Sequence, residues 1–479
     1  MRNRFSSGLL GVTMLIVTLW LKPAVAQVGI CPAQLSEKIS AITNRSEFRR
    51  SRWGILVQTL GDRQTLYAQD AERFFIPASN LKLLTTAAAL EVLGDRYTIR
   101  TSVYQVHSDQ VILRIVGRGD PSLTDAELSQ LAQQIRDRHI TQIDQLIADD
   151  SYFQGDAVNP TWEWEDIQSG YGAPVNSLIL NQNLIGLTLF PQNLGQPLRV
   201  VWDDPTETSR WQIDNASRTV AATAAESLQV GRELGRSQLN LRGQLRVGSE
   251  PEAVAIAIPQ PSRYFLQRFK QALQQQSIRV NQSLVETAPE TQGTEVAAVE
   301  SPPLAKLVIE ANQESNNLYA ESLLRTLGAT QTAETDSSLG AGLEVLKKAL
   351  SQLGVDPTSY TLVDGSGLSR HNSVTPETLV QTLQGMESSP HSTVYRNSLA
   401  VAGSSGTLRN RFLNTPVAGK LQGKTGFLSG STALSGYLEP PDYDPLVLSI
   451  LVNQFDQPLG EIQEAIDEIV ELLAQLKRC

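Results

Sequence analysis

The feature that most constrains the fold is an apolar, alanine-rich run that ends at Leu90 and carries Ser79 and Lys82 at its start. The run contains neither glycine nor proline, and Pro77 fits the first turn of a helix, so the sequence predicts a helix here. Residues three apart share a helix face, which brings the Ser79 hydroxyl within reach of the Lys82 amine. One face of this helix is expected to meet a core: Leu81, Leu84 and Ala88.

A lysine in such a run is chemically unusual. Burial beside apolar groups disfavours the ammonium form, so the pKa of Lys82 is expected to fall and its neutral amine to act as a base. A neighbouring base is one way to activate a serine without histidine. Taken alone, the pair favours a capping Ser79 followed by a surface lysine, because both residue types are common, and two further motifs reverse that preference.

The second motif is Ser315-Asn316-Asn317, which we place within one long helix that includes residues 314–318. In a Ser-x-Asn pattern the hydroxyl can relay a proton, and the asparagine amide can hold a substrate amide. The alternative for this motif alone is the polar face of a surface helix.

The third motif is Lys424-Thr425-Gly426, in a region between Lys420 and Val452 that reads as strands. A lysine and a hydroxyl at a strand edge can bind a carboxylate. Gly426 has no side chain and is expected to let a substrate backbone approach closely. Taken alone, the motif is also compatible with a turn.

The order S-x-x-K, S-x-N, K-T-G is more specific than any of its parts, and in this order the chain resembles the penicillin-binding proteins and serine β-lactamases. Within that family it is most similar to the class C low-molecular-mass penicillin-binding proteins, the D-alanyl-D-alanine carboxypeptidase/endopeptidases, which carry a large insertion between the first two motifs. The separation of Ser79 and Ser315, 315 − 79 = 236 residues, fits such an insertion.

The resemblance implies a role for each catalytic residue. Ser79 would be the nucleophile that forms an acyl-enzyme, Lys82 its base, and Ser315 the group that passes a proton to the leaving amine. The oxyanion would bind the backbone N–H groups of Ser79 and Phe427. Phe427 replaces the serine or threonine that is usual after the glycine, which keeps the backbone donor but removes a side-chain contact.

The same resemblance implies the substrate-binding residues. Asn317 would hold the substrate amide, and Lys424 and Thr425 would bind the terminal carboxylate of D-Ala or of a penicillin, beside Gly426. Asp166 and Trp164 would approach the side chain of the peptide; the alternative for them is an aromatic packing cluster with surface acids. The expected function is a serine-type D-Ala-D-Ala carboxypeptidase or endopeptidase that acts on peptidoglycan stem peptides and is inhibited covalently by β-lactam antibiotics, with no metal or organic cofactor.

The implied fold is α+β, with a β-lactamase/DD-peptidase-like catalytic domain, a large inserted α/β domain and a small β domain nested in it. We expect residues 27–92 and 302–479 to form the catalytic domain and residues 93–301 the insertion. A strand-rich stretch at about 183–260 would be the nested β module.

Residues 1–26 resemble an export signal. Arg2 precedes an apolar stretch from Leu9 to Leu21, and the small residues 24–26 form a cleavage site. We therefore expect an exported, periplasmic or cell-envelope protein with at most peripheral membrane association; the alternative is an uncleaved anchor.

The charge and the cysteine content of the chain argue against a nucleic-acid-binding protein and against a zinc protein. The chain has 40 Lys and Arg against 50 Asp and Glu and no basic block, which argues against nucleic acid as a partner. Two cysteines and four scattered histidines cannot build a zinc site. Cys31 precedes one amphipathic helix and Cys479 follows another, so antiparallel packing of these helices would allow a disulfide in an oxidising compartment.

Three alternatives for the function stay open at this point. Residues 418–425 loosely imitate a nucleotide-binding P-loop, but Ala418 stands where that motif needs glycine, and strand rather than helix is expected after it. A serine β-lactamase would need a positioned carboxylate for fast deacylation. A catalytically silent envelope penicillin-binding protein would not need all three motifs intact.

Overall fold

A computed structural model describes residues 29–233, 236–287, 293–330 and 337–479. The predicted export signal, residues 1–26, lies outside these ranges. Within them, no helix is both long enough and apolar enough to cross a membrane.

The elements are numbered in chain order. The helices are α1 Leu35–Thr43, α2 Lys82–Leu93, α3 Asp125–Asp137, α4 Pro261–Gln275, α5 Leu304–Asn312, α6 Asn317–Thr330, α7 Ser338–Gln352, α8 Pro376–Glu387, α9 Ser392–Asn397 and α10 Leu459–Ala474. The strands are β1 Arg52–Thr59, β2 Thr65–Gln69, β3 Arg100–Val106, β4 Ile112–Val116, β5 Gln142–Asp149, β6 Leu184–Phe190, β7 Arg199–Trp202, β8 Gln212–Asn215, β9 Arg218–Val220, β10 Ser227–Arg232, β11 Gln238–Arg246, β12 Glu252–Ala257, β13 Arg279–Glu286, β14 Thr294–Glu300, β15 Tyr360–Thr361, β16 Ser373–Val374, β17 Ala400–Val401, β18 Leu421–Leu428, β19 Ser431–Leu438 and β20 Leu446–Asn453.

The largest sheet joins the two ends of the chain. Its order is β17-β18-β19-β20-β1-β2, and every neighbouring pair is antiparallel. The chain's first hairpin therefore completes a sheet whose other four strands follow residue 399. The buried strands β19 and β20 lie at its centre, with helices packed on both faces.

The helix predicted after Ser79 is present, but its burial goes beyond the predicted face. A single 3₁₀ turn, Ala78–Leu81, leads into α2, and every residue from Lys82 to Leu90 is buried. The helix is enclosed because it contacts α5, α6, α7 and α8. A helix that is apolar all round is stable only in such an interior position. The amine of Lys82 is therefore enclosed by the core of this part of the molecule.

The prediction of one long helix across residues 314–318 is wrong. Helix α5 ends at Asn312 and α6 begins at Asn317, and Ser315 lies between them with φ 58°. A serine in this left-handed region cannot continue a right-handed helix. The break redirects the chain, so Ser315 and Asn317 lie at the start of α6 rather than on the face of a continuous helix.

The stretch between the first two motifs contains three further sheets. One has five strands in the order β13-β5-β4-β3-β14 and is covered by α3 and α4. The others are a three-stranded sheet, β12-β6-β7, and a four-stranded sheet built from β8 to β11. These two smaller sheets share a separate core around Trp202 and Trp211. The boundaries that we gave for the domains stay predictions.

The two ends of the chain meet at a disulfide. Helices α1 and α10 pack together, and a bridge joins Ile30 to Leu476. Cys31 and Cys479 are bonded in the structure with their Cα atoms 5.8 Å apart. The start of α1 lies beside the end of α10, which is the antiparallel arrangement that the pairing requires.

Candidate active site

The side chains of Ser79 and Lys82 are in contact. Ser79 lies in the 3₁₀ turn, and the Nζ atom of Lys82 is 2.9 Å from its Oγ atom. The same Nζ donates to Oδ1 of Asn317 at 2.6 Å and to the carbonyl oxygen of Ser366 at 2.7 Å. An ammonium has three protons, and each one here faces an acceptor. The amine is thus fixed in direction toward the serine.

Burial makes this amine a base. It lowers the pKa of Lys82 to about 7, and the negative charges of Asp364 and Glu321 oppose the effect only in part. A lysine in water would be almost wholly protonated at neutral pH, whereas this one has a substantial neutral fraction. The neutral amine can accept the proton of the Ser79 hydroxyl.

A second lysine and serine face this pair. The Nζ atom of Lys424, in β18, donates to Oγ of Ser315 at 2.8 Å and to the carbonyl oxygen of Thr425 at 2.9 Å. Lys424 is fully buried, and burial together with the charge of Lys82 lowers its pKa. The three motifs therefore supply two serine hydroxyls, each held by its own buried lysine.

Two glycines allow the turn before Ser79 to be enclosed. Ala78 has φ 47°, a left-handed conformation that packing must maintain. A Cβ atom at Gly426 would lie 2.8 Å from the carbonyl oxygen of Pro77, and one at Gly367 would lie 1.9 Å from that of Ala78. We expected Gly426 to make room for substrate, but the backbone that it admits in this structure is that of the turn that carries Ser79.

A glycine-rich loop, residues 364–370, contacts the Lys82 amine, and the sequence alone assigned it no chemical role. Its Ser366 carbonyl accepts from Lys82, and Oε1 of Glu321 accepts from the N–H groups of Gly365 and Ser366 at 2.8 Å each. Asp364 accepts from the N–H groups further along the same loop. Glu321 lies one turn after Asn317 in α6, a spacing that could have drawn attention to it.

The two serines open onto a cavity of about 510 Å³. Its lining includes five of the predicted site residues: Ser79, Asp166, Ser315, Asn317 and Phe427. Lys82 and Lys424 are buried behind the serines that they contact. Thr425 and Gly426 are not part of the lining, and the Thr425 hydroxyl donates to that of Thr407 at 2.7 Å.

One wall of the cavity is acidic. Glu163, Glu165 and Asp166 line it, and the Tyr171 hydroxyl donates to Oδ1 of Asp166 at 3.1 Å. Burial raises the pKa of Asp166. Arg370 also lines the cavity and pairs with Glu163 at 3.1 Å, which leaves two of the three carboxylates without an arginine partner in the described residues. Sequence reasoning found Asp166 but gave no role to Arg370 or Tyr171, since only the fold shows how they contact this wall.

Asn317 links the lysine to this wall. Its Oδ1 accepts from Lys82, and its Nδ2 donates to the carbonyl oxygen of Tyr171 at 2.9 Å. Both ends of the amide that we expected to hold substrate are thus engaged with the protein.

Comparison with known proteins agrees with this chemistry. Residues 35–476 match the D-Ala-D-Ala carboxypeptidase 3 (S13) family. The chain is 31% identical to the D-alanyl-D-alanine carboxypeptidase of Actinomadura sp. (strain R39), over 97% of this chain and 89% of that protein.

Solved structures share the fold. The crystal structure of penicillin-binding protein 4 (dacB) from Haemophilus influenzae superposes with a TM-score of 0.80 at 22% identity, over 92% of this chain and 99% of that one. The same protein complexed with a novel β-lactam gives a TM-score of 0.74 at 21% identity, over 92% of this chain and 98% of that one.

The chain belongs to the D-Ala-D-Ala carboxypeptidase 3 (S13) family, which confirms the predicted family, the predicted fold class and the predicted function of a serine-type D-Ala-D-Ala carboxypeptidase.

Proposed function

We propose that Ser79 is the nucleophile of this carboxypeptidase and that Lys82 is its general base. The observation that carries the proposal is the 2.9 Å contact between a fully buried Lys82 amine and the Ser79 hydroxyl at the floor of the cavity. In acylation the Oγ–C bond forms as the proton leaves Oγ for the amine, and the C–N bond to the terminal D-Ala then breaks. Water later attacks the ester carbonyl and gives a proton to the amine, and the C–Oγ bond breaks as Oγ takes up that proton.

Ser315 and Lys424 are proposed to complete the proton path. The leaving nitrogen must gain a proton as its bond to the carbonyl breaks. Ser315 lines the cavity and is held by Lys424, so its hydroxyl can donate to that nitrogen while it recovers a proton from a neighbouring amine. The backbone N–H groups of Ser79 and Phe427 are the proposed donors to the oxyanion.

We assign the terminal carboxylate of the substrate to Lys424 and Thr425. Thr425 would give up its bond to Thr407, and the carboxylate would pair with the Lys424 amine, which has only neutral acceptors in the structure, and would favour its charged form. Asn317 is the proposed donor to the substrate amide, in exchange for its bond to the Tyr171 carbonyl.

Asp166 is proposed to bind the side chain that precedes the acyl D-Ala. The wall that it shares with Glu163 and Glu165 favours a substrate side chain that ends in a cation. A peptidoglycan stem peptide with a basic residue at that position fits the wall. The proposed location is the cell envelope, where such peptides occur.

The test is intact-mass spectrometry after incubation with benzylpenicillin, followed by peptide mapping and an assay of D-Ala release from a peptide that ends in D-Ala-D-Ala. We expect one adduct, on the peptide that holds Ser79, and D-Ala release that Ser79→Ala lowers at least about 10⁴-fold. The β-lactam complex of the related H. influenzae protein supports the choice of probe.

Other outcomes separate the alternatives. Measurable D-Ala release by Ser79→Ala would refute the nucleophile. Rapid disappearance of the drug with no lasting adduct would favour a β-lactamase. A folded protein that neither binds the drug nor releases D-Ala would be a silent member of the family.

A further inference from the structure

A second concave surface continues from the active-site cavity. This distal groove has a volume of about 390 Å³. It shares two lining residues with the catalytic cavity, Arg370 and Ser429, and Arg370 donates to the carbonyl oxygen of Ser429 at 2.9 Å. The groove therefore begins where the cavity ends, at the turn between β18 and β19.

The groove contains a guanidinium without a carboxylate partner. Arg52, at the start of β1, lies over the ring of Phe75 at 4.9 Å and makes a long hydrogen bond of 3.4 Å to the carbonyl oxygen of Phe74. Within the described residues it forms no ion pair. Phe74 is an exposed aromatic residue that also lines the groove. An apolar ring beside an unpaired arginine suits a ligand that carries both an aliphatic part and an anion.

The course of β18 shows which part of a substrate would reach this groove. Strand β17 pairs with β18 only at Gln422 and Gly423, so the following edge has no partner on that side among the described strands. An extended peptide can add to such an edge. The proposed carboxylate site is at Thr425 and the nucleophile's turn at Gly426, so the acyl part of the substrate would run on toward Ser429.

Strand geometry gives the length that an extended substrate covers beyond the acyl D-Ala. At about 3.3 Å per residue, two residues beyond the acyl D-Ala cover about 7 Å, which is the span from Phe427, near the end of β18, to Ser429 in the turn that follows it. The residue next to the acyl D-Ala would face the wall around Asp166, and the one before it would reach the start of the distal groove. From there its side chain would point to Arg52.

We propose that the distal groove is an anion-selective subsite in which Arg52 binds a carboxylate carried two residues before the acyl D-Ala. The inference rests on the proposed function, because it uses the direction in which the substrate lies. The overall charge of the chain is −10, so its long-range field would disfavour an anionic peptide. A preference for one must therefore come from a local cation.

The experiment compares two peptides of the same shape, acetyl-Glu-Lys-D-Ala-D-Ala and acetyl-Gln-Lys-D-Ala-D-Ala. We expect the parent enzyme at low salt to prefer the Glu peptide about fivefold in kcat/KM for D-Ala release, the size of a partly exposed charge pair. High salt should reduce the preference. Arg52→Gln should abolish it, and Arg52→Lys should retain part of it.

Arg50→Gln is the matched control. Arg50 precedes β1, is highly exposed and lies 3.6 Å from Asp456, outside the groove, so this variant should keep the preference of the parent. A parent with no preference, or a preference that survives in Arg52→Gln, overturns the inference. If Arg52→Gln does not fold, Arg52→Lys takes its place, and a preference that this variant leaves wholly unchanged overturns the inference. Absence of D-Ala release from both peptides and from acetyl-Lys-D-Ala-D-Ala would instead overturn the proposed function, and the inference with it.

Discussion

Two buried basic groups in this molecule have opposite surroundings. Arg114, in the five-stranded sheet, is 2% exposed and pairs with Asp149 at 2.9 Å and with Glu286 at 2.5 Å. Lys82, in the active site, is equally buried, but its three acceptors are neutral oxygens. Burial alone would lower both pKa values. Hydrogen bonds to the two carboxylates outweigh burial at Arg114 and raise its pKa, whereas burial prevails at Lys82 and lowers its pKa to about 7.

The difference separates a structural charge from a reactive one. A buried cation that must stay charged needs anions in contact, because desolvation is otherwise too costly. A general base must be able to lose its proton near neutral pH, so close carboxylates would impair it. The two carboxyl groups near Lys82, those of Asp364 and Glu321, hold backbone N–H groups and act on the lysine only through space.

Of the changes to these charged groups, removal of the proposed base Lys82 gives the largest expected effect. Lys82→Ala should slow acylation by benzylpenicillin about 10²–10⁴-fold, the usual contribution of a general base. In the parent, acylation should rise with pH through about 7, because the proposed base is the neutral form of Lys82. Stopped-flow or quenched mass measurements across pH 5 to 9 test both statements. Acylation by Lys82→Ala at the parent rate would show that another group is the base.

Removal of a carboxylate that pairs with Arg114 should lower the stability of the protein and leave the acylation rate unchanged. Asp149→Ala is expected to lower the free energy of unfolding by about 3 kcal/mol, because it leaves a buried guanidinium with one fewer anion. Urea unfolding measures the loss, and the acylation rate per folded molecule should stay at the parent value. Glu300→Ala is the matched control: it removes an exposed partner of Arg100, and its cost should stay below about 1 kcal/mol. Equal losses in the two variants would contradict the distinction.

Sequence reasoning identified the side chains of the site more readily than the backbone geometry that positions them. The buried lysine was predictable only from the three motifs together, because the run around Lys82 alone also allowed a surface lysine. The break at Ser315 was not, since a positive φ at a serine follows from tertiary packing rather than from propensity. The role of Ser366 was hidden for another reason: its contribution is a backbone carbonyl, which side-chain identity does not reveal. The acceptors around Lys82 come from three separate segments that only the fold brings together.

Glu321 has features of both a structural and a reactive charged group, and its replacement gives the smallest expected effect. Burial and the charge of Asp364 raise its pKa, and its Oε2 atom has no hydrogen-bond partner in the described structure. Oε1 accepts from the N–H of Ser366, whose carbonyl faces Lys82, while any negative charge on the group raises the pKa of that lysine. The effect of Glu321 on the position of the loop can be separated from the effect of its charge on Lys82, because glutamine keeps an acceptor oxygen and removes the charge.

Glu321→Gln should therefore move the rise in acylation to lower pH, by about one unit if the full charge is lost, which is a tenfold change in the proton affinity of Lys82. The plateau at high pH should stay close to that of the parent, since the loop remains in place. Glu321→Ala should instead lower the plateau, because the N–H groups of Gly365 and Ser366 lose their acceptor and the Ser366 carbonyl is no longer fixed. An identical pH profile in parent and Glu321→Gln, with a lower plateau only in Glu321→Ala, would assign Glu321 to positioning alone. A shift toward higher pH in Glu321→Gln would contradict the through-space effect and the comparison on which it rests.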